Sequence, residues 1–329
     1  MRNTPSFVAI CVAALGLGSI ASAQAPCRAV EIDRRGAEEA YVFDLNNWGQ
    51  VVGALATTPE GQVSHIQPFV WENGRTRLLE APSQVSEAHA INAFGRVVGT
   101  LYEADFQVRP VTWTRGRIAR LASAPQALAV DVNNRGQIIG YNSMSRGVLW
   151  QNADSEPLDL GTLGGGMAQP AAINDHGVIV GVSATADNAL HGFVWQDGAL
   201  TDIGLPDHPD ATIDIVRTEL AGINDDGLAV GYAYAADGTT YPLLWTRRQG
   251  ARILPDAGSA VAVNSWGTVA VVSPNNDLLL GGYDRPFRTK GRFEGTVQLP
   301  YIELNDRYQL AYSELREGKW IGRFCQLTL

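Results

Sequence analysis

The sequence predicts an all-β fold assembled from repeated units, and three observations lead to this prediction. A short pattern recurs along the chain, Gly and Pro mark frequent turns, and no segment shows the sustained 3.6-residue periodicity of a helix. The pattern is an apolar residue, Asn, two variable residues, Gly (Tyr308 in the last copy) and a mostly apolar run. Its copies lie 40 to 50 residues apart. The asparagines, which number repeat units 1 to 7, are Asn46, Asn92, Asn133, Asn174, Asn224, Asn264 and Asn305.

The second half of each unit carries a different signature. In units 1 to 5 an apolar run ends in tryptophan, and a polar turn and another short apolar stretch follow. Such runs between turns are typical of strands, so we expect four per unit, labelled A to D. Strand A ends at the asparagine, strand B is the run after the glycine, and strand C ends at the tryptophan. The tryptophans are Trp71, Trp113, Trp150, Trp195 and Trp245.

The residue types explain how these units pack. Asn at the start of a tight turn bonds its own backbone two residues on, and Gly at the fourth position adopts the left-handed conformation that closes a hairpin. Strand B is apolar at consecutive positions, so both of its faces should be buried. Without helices to cover it, such a sheet must lie between copies of itself. The sequence therefore predicts a seven-bladed β-propeller of four-stranded blades.

The N-terminus has the features of a secretory signal peptide at residues 1–23. An apolar stretch at 7–20 follows a positive charge, and Ala21-Ser22-Ala23 supplies small residues for cleavage, with Ala25 the alternative site. We predict a secreted or periplasmic protein with one propeller domain at 24–329 and no membrane span after the signal. Its repeats are expected to begin near residues 40, 86, 127, 168, 218, 258 and 299.

The two ends of the mature chain predict how the ring closes. Unit 7 stops at the place of strand C, whereas a spare strand at 27–33 precedes unit 1. We expect this N-terminal strand to complete the last blade, which makes Cys27 and Cys325 neighbours. Because an exported protein permits disulfides, we predict a Cys27–Cys325 bond.

Composition restricts the partners. The net charge is −9 and the basic residues form no stripe, so we expect no nucleic-acid partner. We expect a monomer that binds a protein or a carbohydrate at one face of the propeller and that needs no cofactor.

The repeats resemble the HAF family of probable extracellular repeats. "HGFVWQDGALTDIG" at 191–204 is a close match, and "LDLGTLGGG" at 158–166 resembles that family's strand D and exit loop. The resemblance covers essentially the whole mature chain. It departs at Gln67-Pro68-Phe69 and at Tyr241-Pro242-Leu243, and units 6 and 7 lack the tryptophan. It implies a propeller-like repeat protein that is exported, and it implies no activity.

No standard catalytic or metal-binding motif is present. The sequence contains no Gly-x-Ser-x-Gly, His-Glu-x-x-His or Cys-x-x-Cys, so we assign no catalytic residue and no metal ligand. One position of the repeat nevertheless differs between units. Two residues before the asparagine, four units carry Ala or Gly, and the other three carry Asp44, Asp131 and Glu303. Strand A is the innermost strand of a blade, so these carboxylates can converge on the axis and hold a cation such as calcium. The simpler interpretation, which we favour, is that each caps backbone amides of a neighbouring blade.

The two rims of the ring should differ. The short A–B and C–D turns share one rim, the turn face, and the variable B–C loops and D–A connections share the other, the loop face, where functional residues are expected. We predict a ligand site at the loop-face mouth of the central channel. For His89 the sequence favours a buried, hydrogen-bonded position on strand A, and facing the channel is the alternative. The candidate residues are Tyr41, Glu87, His89, Gln169, Arg217 and Glu219.

On the turn face, Trp48, Phe94 and Trp266 occupy the tips of A–B turns. These aromatic rings either form a binding rim or pack against the next unit. Taken together, the sequence favours an exported binding or interaction scaffold. The alternative is a propeller enzyme, a lyase or hydrolase acting on a polysaccharide or a small molecule at the loop-face mouth, by analogy of fold alone.

Overall fold

A computed structural model describes residues 25–58, 65–103, 107–122 and 126–327, with only the backbone described at Pro300. Every regular element in these ranges is a β-strand, and the strands form a β-propeller, which confirms the predicted all-β class. The predicted signal peptide at 1–23 lies outside the described residues. Within the described ranges no helix has the length and apolar character needed to cross a membrane.

The strands follow the order A to D within each repeat unit. β1 (Val30–Glu31) precedes unit 1. Units 1 to 3 contain β2 (Glu39–Leu45), β3 (Val51–Thr57), β4 (His65–Glu72) and β5 (Arg75–Leu78); β6 (Val85–Ile91), β7 (Val97–Tyr102), β8 (Val108–Thr114) and β9 (Arg117–Arg120); β10 (Ala127–Val132), β11 (Ile138–Asn142), β12 (Gly147–Trp150) and β13 (Leu158–Asp159). Units 4 to 7 contain β14 (Gly164–Ile173), β15 (Ile179–Thr185), β16 (Leu190–Gln196) and β17 (Ala199–Asp202); β18 (Ile215–Ile223), β19 (Ala229–Ala235), β20 (Thr240–Thr246) and β21 (Gly250–Ile253); β22 (Ser259–Val263), β23 (Val269–Val272), β24 (Asp277–Gly282) and β25 (Arg285–Arg292); β26 (Thr296–Leu304), β27 (Gln309–Arg316) and β28 (Lys319–Gln326).

The sheets do not match the repeat units one for one. The structure has five separate four-stranded blades, formed by units 3 to 7, and one eight-stranded sheet formed by units 1 and 2. The predicted count of seven four-stranded blades is therefore wrong. Ile66 of β4 pairs in parallel with Val85 of β6, and the Ile66 N–H donates to the Gln84 carbonyl at 2.9 Å. This edge contact joins two units, and a repeat pattern carries no signal for pairing between units.

The two ends of the chain meet in the last blade. β1 pairs antiparallel with β28, with Val30 opposite Phe324, and takes the place of strand D in unit 7. The predicted disulfide is confirmed: it links Cys27 to Cys325 across a sequence separation of 298 residues.

The turns close as the sequence predicts. The turn glycines of units 1 to 6 have φ between 67° and 80°, and Tyr308 adopts φ 56° in unit 7. The side-chain oxygen of each asparagine accepts backbone N–H groups within its turn; Asn174 Oδ1 accepts from His176 and Val178, both at 3.0 Å.

The seven asparagines also connect the units. Nδ2 of each one donates to the backbone carbonyl of the next unit's asparagine at 2.9–3.3 Å. Asn305 donates to the Asn46 carbonyl at 3.0 Å, which closes the ring. All seven side chains are buried, so this ring satisfies their amide groups without water. We call it the asparagine ring.

A β-bulge interrupts strand A just before the asparagine. In unit 4 the register shifts between Pro170 and Ala172, opposite Gly181 of strand B. A Cβ atom on Gly181 would lie 2.1 Å from the carbonyl oxygen of Gln169, so only glycine fits there. The same contact, with distances of 1.9–2.0 Å, occurs at Gly53, Gly99, Gly140 and Gly231. In units 1 to 5 the glycine that ends the apolar run is therefore required by this close approach of strand A.

Candidate functional site at the central channel

The first strands of successive units contact one another around the whole ring, so they surround the central channel. The asparagine ring lies on the turn face of these strands. The residues that precede the bulge lie toward the loop face. Each face of the channel therefore has its own set of side chains.

The predicted mouth residues occupy related positions on these strands. Four of them lie five residues before the asparagine of their unit, where the carbonyl contacts the strand B glycine: Tyr41, Glu87, Gln169 and Glu219. Arg217 lies two residues earlier on β18, and His89 is the bulge residue of β6. All six are half-buried, so they are positioned by the fold and still accessible.

Glu87 and His89 form a hydrogen-bonded cluster with Tyr102. Glu87 Oε2 lies 3.2 Å from His89 Nε2 and accepts a hydrogen bond from Tyr102 Oη at 3.3 Å. The other imidazole nitrogen, Nδ1, lies 2.6 Å from the Ala129 carbonyl oxygen in unit 3. Because both imidazole nitrogens face acceptors, this arrangement stabilises the charged, doubly protonated histidine.

The pKa values follow from this geometry. Burial acts to lower the pKa of His89, but the Glu87 carboxylate and the Ala129 carbonyl together outweigh it and raise that pKa. Burial acts to raise the pKa of Glu87, but His89 and Tyr102 outweigh it and lower that pKa. The two side chains are 21% and 19% exposed, and these opposite pKa shifts favour the charged pair.

Aromatic side chains from units 1, 3 and 7 lie around the Glu87–His89 pair, and Tyr232 of unit 5 lies near Tyr301. Burial, followed by Glu87, raises the pKa of Tyr141, and burial, Glu87 and Tyr141 raise the pKa of Tyr301 to about 12. Burial is also the main cause of the raised pKa of Tyr232, to which Tyr301 contributes. The Phe43 ring lies 5.0 Å from that of Tyr301. The mouth is thus lined by rings whose hydroxyl groups stay protonated and can donate hydrogen bonds.

A second charged cluster lies on unit 5. Arg217 Nη2 donates to Glu219 Oε2 at 2.7 Å, and Arg217 Cζ lies 4.6 Å from the centroid of the Tyr234 ring. Burial and then Glu219 raise the pKa of Tyr234 to about 12. Arg217 Nε is buried and has no hydrogen-bond partner among the described residues. This donor is thus enclosed by the protein and unsatisfied among the described residues.

Tyr41 and Gln169 complete the rim. Tyr41 Oη donates to Glu39 Oε2 at 2.8 Å, and Glu39 Oε1 accepts the Trp320 backbone N–H at 3.0 Å. Gln169 Nε2 donates to Ser145 Oγ at 3.1 Å. These bonds hold both side chains against neighbouring strands and loops.

The three carboxylates of the other predicted cluster lie toward the turn face. Asp44, Asp131 and Glu303 line an axial cavity of about 230 Å³ together with the asparagine ring. Asp44 accepts the Ile91 N–H of unit 2 at 2.6 Å, and Asp131 accepts the Ile173 N–H of unit 4 at 2.8 Å. Both aspartates therefore cap an amide of the next unit while they share the cavity with Glu303.

These carboxyl groups hold their protons to unusually high pH. Burial and then the Asp131 charge raise the pKa of Asp44 to about 7, and burial raises the pKa of Asp131 to about 6. Burial, Asp44 and Asp131 raise the pKa of Glu303 well above its ordinary value. The three side chains thus repel one another across the axis.

The parts of the chain that the structure describes contain no group of three or more His, Cys, Asp or Glu side chains arranged to hold a metal ion. At the axis, Asp44 and Asp131 direct their oxygens to backbone amides. A cation at this cavity stays a prediction.

The aromatic turn tips are open to solvent. Trp48, Phe94 and Trp266 are 59%, 81% and 68% exposed. Trp48 Nε1 donates to the Ala93 carbonyl at 2.9 Å, and Trp266 Nε1 to the Asp306 carbonyl at 3.1 Å. The two indoles are therefore tied to the next turn without being buried.

The sequence analysis missed most of the aromatic lining. Tyr232 and Tyr234 lie two residues apart on strand B of unit 5. Side chains at this spacing share one face of a strand, so the sequence did contain a signal for this pair. Tyr141 and Tyr301 carry no such signal, because each is a single departure within its unit.

Comparison with known proteins supports the fold. No protein-family model and no curated protein matches the sequence. A solved structure of YCF48 bound to D1 peptide is similar over 93% of this chain and 98% of its own, with a TM-score of 0.57 and 10% identity. The Pyrococcus horikoshii acylaminoacyl peptidase has a TM-score of 0.60 and 10% identity over 91% of this chain and 54% of its own. The β-propeller domain of the Trilobed protease from Pyrococcus furiosus has a TM-score of 0.55 and 10% identity over 89% of this chain and 97% of its own.

At this level of identity the likeness shows the fold alone. The chain is a β-propeller, and its resemblance to the HAF repeats stays a prediction.

Proposed function

We propose that this protein is an exported scaffold that binds a peptide segment of a partner protein at the loop-face mouth of its channel. The convergence of aromatic rings and two ion-paired clusters from separate units at that mouth carries the proposal. Export follows from the signal-like residues 1–23 and is consistent with the Cys27–Cys325 disulfide. One solved propeller of similar fold binds a peptide.

The chemistry of the mouth suits recognition more than turnover. Glu87 is paired with His89 and Glu219 with Arg217, so the charged groups already have partners. The phenols of Tyr234 and Tyr301 stay protonated and can donate hydrogen bonds. Backbone carbonyls of an extended peptide would accept from these donors, while its side chains pack on the rings.

The test is selection of displayed random peptides on the exported, disulfide-bonded protein. Peptides that bind this mouth should lose at least about ten-fold in affinity on Arg217→Ala or Tyr301→Ala, since central aromatic and arginine contacts contribute most to binding. Phe94→Ala, which removes an equally large ring from the turn face, is the matched control and should leave affinity unchanged. Selected peptides that bind both mouth variants as tightly as the wild type would refute the proposed site.

The enzyme alternative rests on the Glu87–His89–Tyr102 cluster, which pairs a carboxylate with an imidazole and a phenol. The same selected peptides, and a panel of oligosaccharides, should be recovered unchanged after long incubation with the protein. Products that form with the wild type and not with His89→Gln would favour a hydrolase or lyase instead.

A further inference from the structure

One register of strand C separates units 6 and 7 from the rest. In units 1 to 5, the strand C residue opposite the first buried residue of strand B is a tryptophan. At the same register, Gly281 pairs with Val269 in unit 6, and Cys325 pairs with Leu310 in unit 7. Two units therefore lack the indole that fills this place elsewhere.

The indole fills the space between neighbouring units. Trp113 and Trp150 are buried, and their Nε1 atoms donate to the carbonyls of Glu80 at 2.7 Å and of Ala122 at 3.1 Å. Glu80 and Ala122 begin the connection that follows strand D of the preceding unit. In units 2 and 3 the tryptophan thus packs against, and hydrogen bonds to, its neighbour.

Unit 7 replaces the indole with a covalent link. Cys325 is 2% exposed and bonded to Cys27. Unit 6 replaces it with a smaller ring. A Cβ atom on Gly281 would lie 2.6 Å from Cγ of Phe287, so the half-buried Phe287 ring of β25 covers this glycine directly.

The replacement in unit 6 leaves a pocket between units 5 and 6. Its volume is about 420 Å³, within the range of small-molecule sites. The apolar wall includes Leu254, Val271, Leu279 and Phe287, and Arg252 lies at the pocket with its Nη1 donating to the Tyr283 carbonyl at 2.7 Å. A mainly apolar pocket with a few polar groups has the composition of a ligand site.

The hydrogen bonds of the other units indicate which chemical group would fit this pocket. In units 1, 2 and 5 a leucine N–H after strand D donates to a proline carbonyl of strand C, at Leu79, Leu121 and Leu254. The next residue supplies the acceptor for the indole N–H in the first two cases, Glu80 and Ala122. In unit 5 that next residue is Pro255, which lines the pocket.

We propose that this pocket binds a planar aromatic group that carries an N–H donor, with the Pro255 carbonyl as its acceptor. The group comes either from a free small molecule or from a tryptophan side chain of a peptide. This site lies between the outer parts of two blades, so it is additional to the channel mouth and does not depend on the function proposed there.

The probes are indole and the tripeptide Gly-Trp-Gly, titrated into the exported protein by calorimetry and by protein-observed NMR. We expect saturable binding of at least one probe, with a dissociation constant of about 1 mM or lower. 1-Methylindole, which lacks the N–H, should bind several-fold more weakly than indole. Tighter binding of the tripeptide would assign the site to a partner's side chain, and tighter binding of indole would assign it to a small molecule.

Two variants locate the binding. The double variant Gly281→Trp with Phe287→Ala restores the indole of units 1 to 5, and Ala257→Trp fills the pocket from its other wall. Each should reduce probe affinity at least ten-fold. Phe94→Trp adds an indole at an exposed turn tip, and Tyr301→Ala alters the channel mouth; both should bind the probe as the wild type does.

The wild type and the variants also provide the outcomes that would refute the proposal. If the double variant fails to fold, Ala257→Trp gives the answer alone. Absence of saturable binding of either probe to the wild type overturns the proposal. Binding that survives in a folded pocket-filling variant overturns it as well.

Discussion

The turn face and the loop face of the channel are built on the same strands and differ in what is repeated. On the turn face every unit presents an asparagine, and each bonds the next around a closed ring. On the loop face the register five residues before the asparagine carries Tyr, Glu, Leu, Gln, Glu, Ser and Pro from unit 1 to unit 7. Repetition marks the groups that hold the ring together, and variation marks the residues of the candidate site.

The bulge in strand A divides the two regions. On its turn-face side, the seven asparagine side chains are buried and their amide groups are paired within the asparagine ring. On its loop-face side, side chains are half-buried and include a donor, Arg217 Nε, with no partner among the described residues. Stability should therefore be concentrated on the turn-face side, and this contrast can be measured.

The largest loss of unfolding free energy should come from removing the Cys27–Cys325 disulfide. Cys325 lies near the turn face, where the Leu327 N–H donates to the Tyr308 carbonyl at 2.9 Å. The double variant Cys27→Ser, Cys325→Ser should lose several kcal/mol of unfolding free energy, up to about 5 kcal/mol, because the unfolded chain regains the entropy of a long loop. Equilibrium unfolding in guanidinium without reductant measures the loss. A loss below about 1 kcal/mol would show that β1 pairing alone closes the ring.

A matched pair of substitutions on one strand compares the two faces directly. Asn174→Ala removes three hydrogen bonds, one of them the buried bond to the next unit, so it should cost about 3 kcal/mol. Gln169→Ala, five residues earlier on β14, removes one bond to Ser145 and should cost less than about 1 kcal/mol. Urea unfolding followed by tryptophan fluorescence gives both values. Equal costs would remove the distinction between the faces.

The smallest effect concerns pH. The pKa of Asp44 is raised to about 7 and that of Asp131 to about 6, so between pH 4 and 7 the folded protein binds more protons than the unfolded chain. The unfolding free energy should therefore fall as pH rises through this window. Asp44→Asn should flatten the dependence by about 1 kcal/mol, since partial exposure screens the charge.

Melting temperatures at pH 4.5 and 7.5 test this prediction, with Asp154→Asn as an exposed control. A steeper fall in the Asp44→Asn variant than in the wild type would contradict the repulsion inferred at the axis.

Sequence alone predicted the parts of the fold that are repeated. Asn-x-x-Gly predicted the hairpins, the consecutive apolar residues predicted burial on both faces, and the positions of Cys27 and Cys325 predicted the disulfide. The joining of units 1 and 2 into one sheet was missed, because the Ile66–Val85 pairing uses backbone groups that any residue provides.

The candidate site was predictable only in part. The departures at Glu87 and Arg217 were visible as polar residues in strand A. The aromatic lining was not, because Tyr141, Tyr232 and Tyr301 come from separate units, and only the closed ring brings them together. Gly281 was visible as a missing tryptophan, but the pocket beside it depends on how Phe287 packs.

The meeting of β1 with β28, held by a disulfide, also changes how the protein should respond to proteases. Between Cys27 and Cys325 the backbone and the disulfide form one covalent loop. A single cut in an exposed connection, such as 205–214, linearises that loop and releases no fragment. Each cut end stays held by its own unit and by the neighbouring units of the ring, so a nicked molecule should keep its shape until a second cut or a reductant frees a piece.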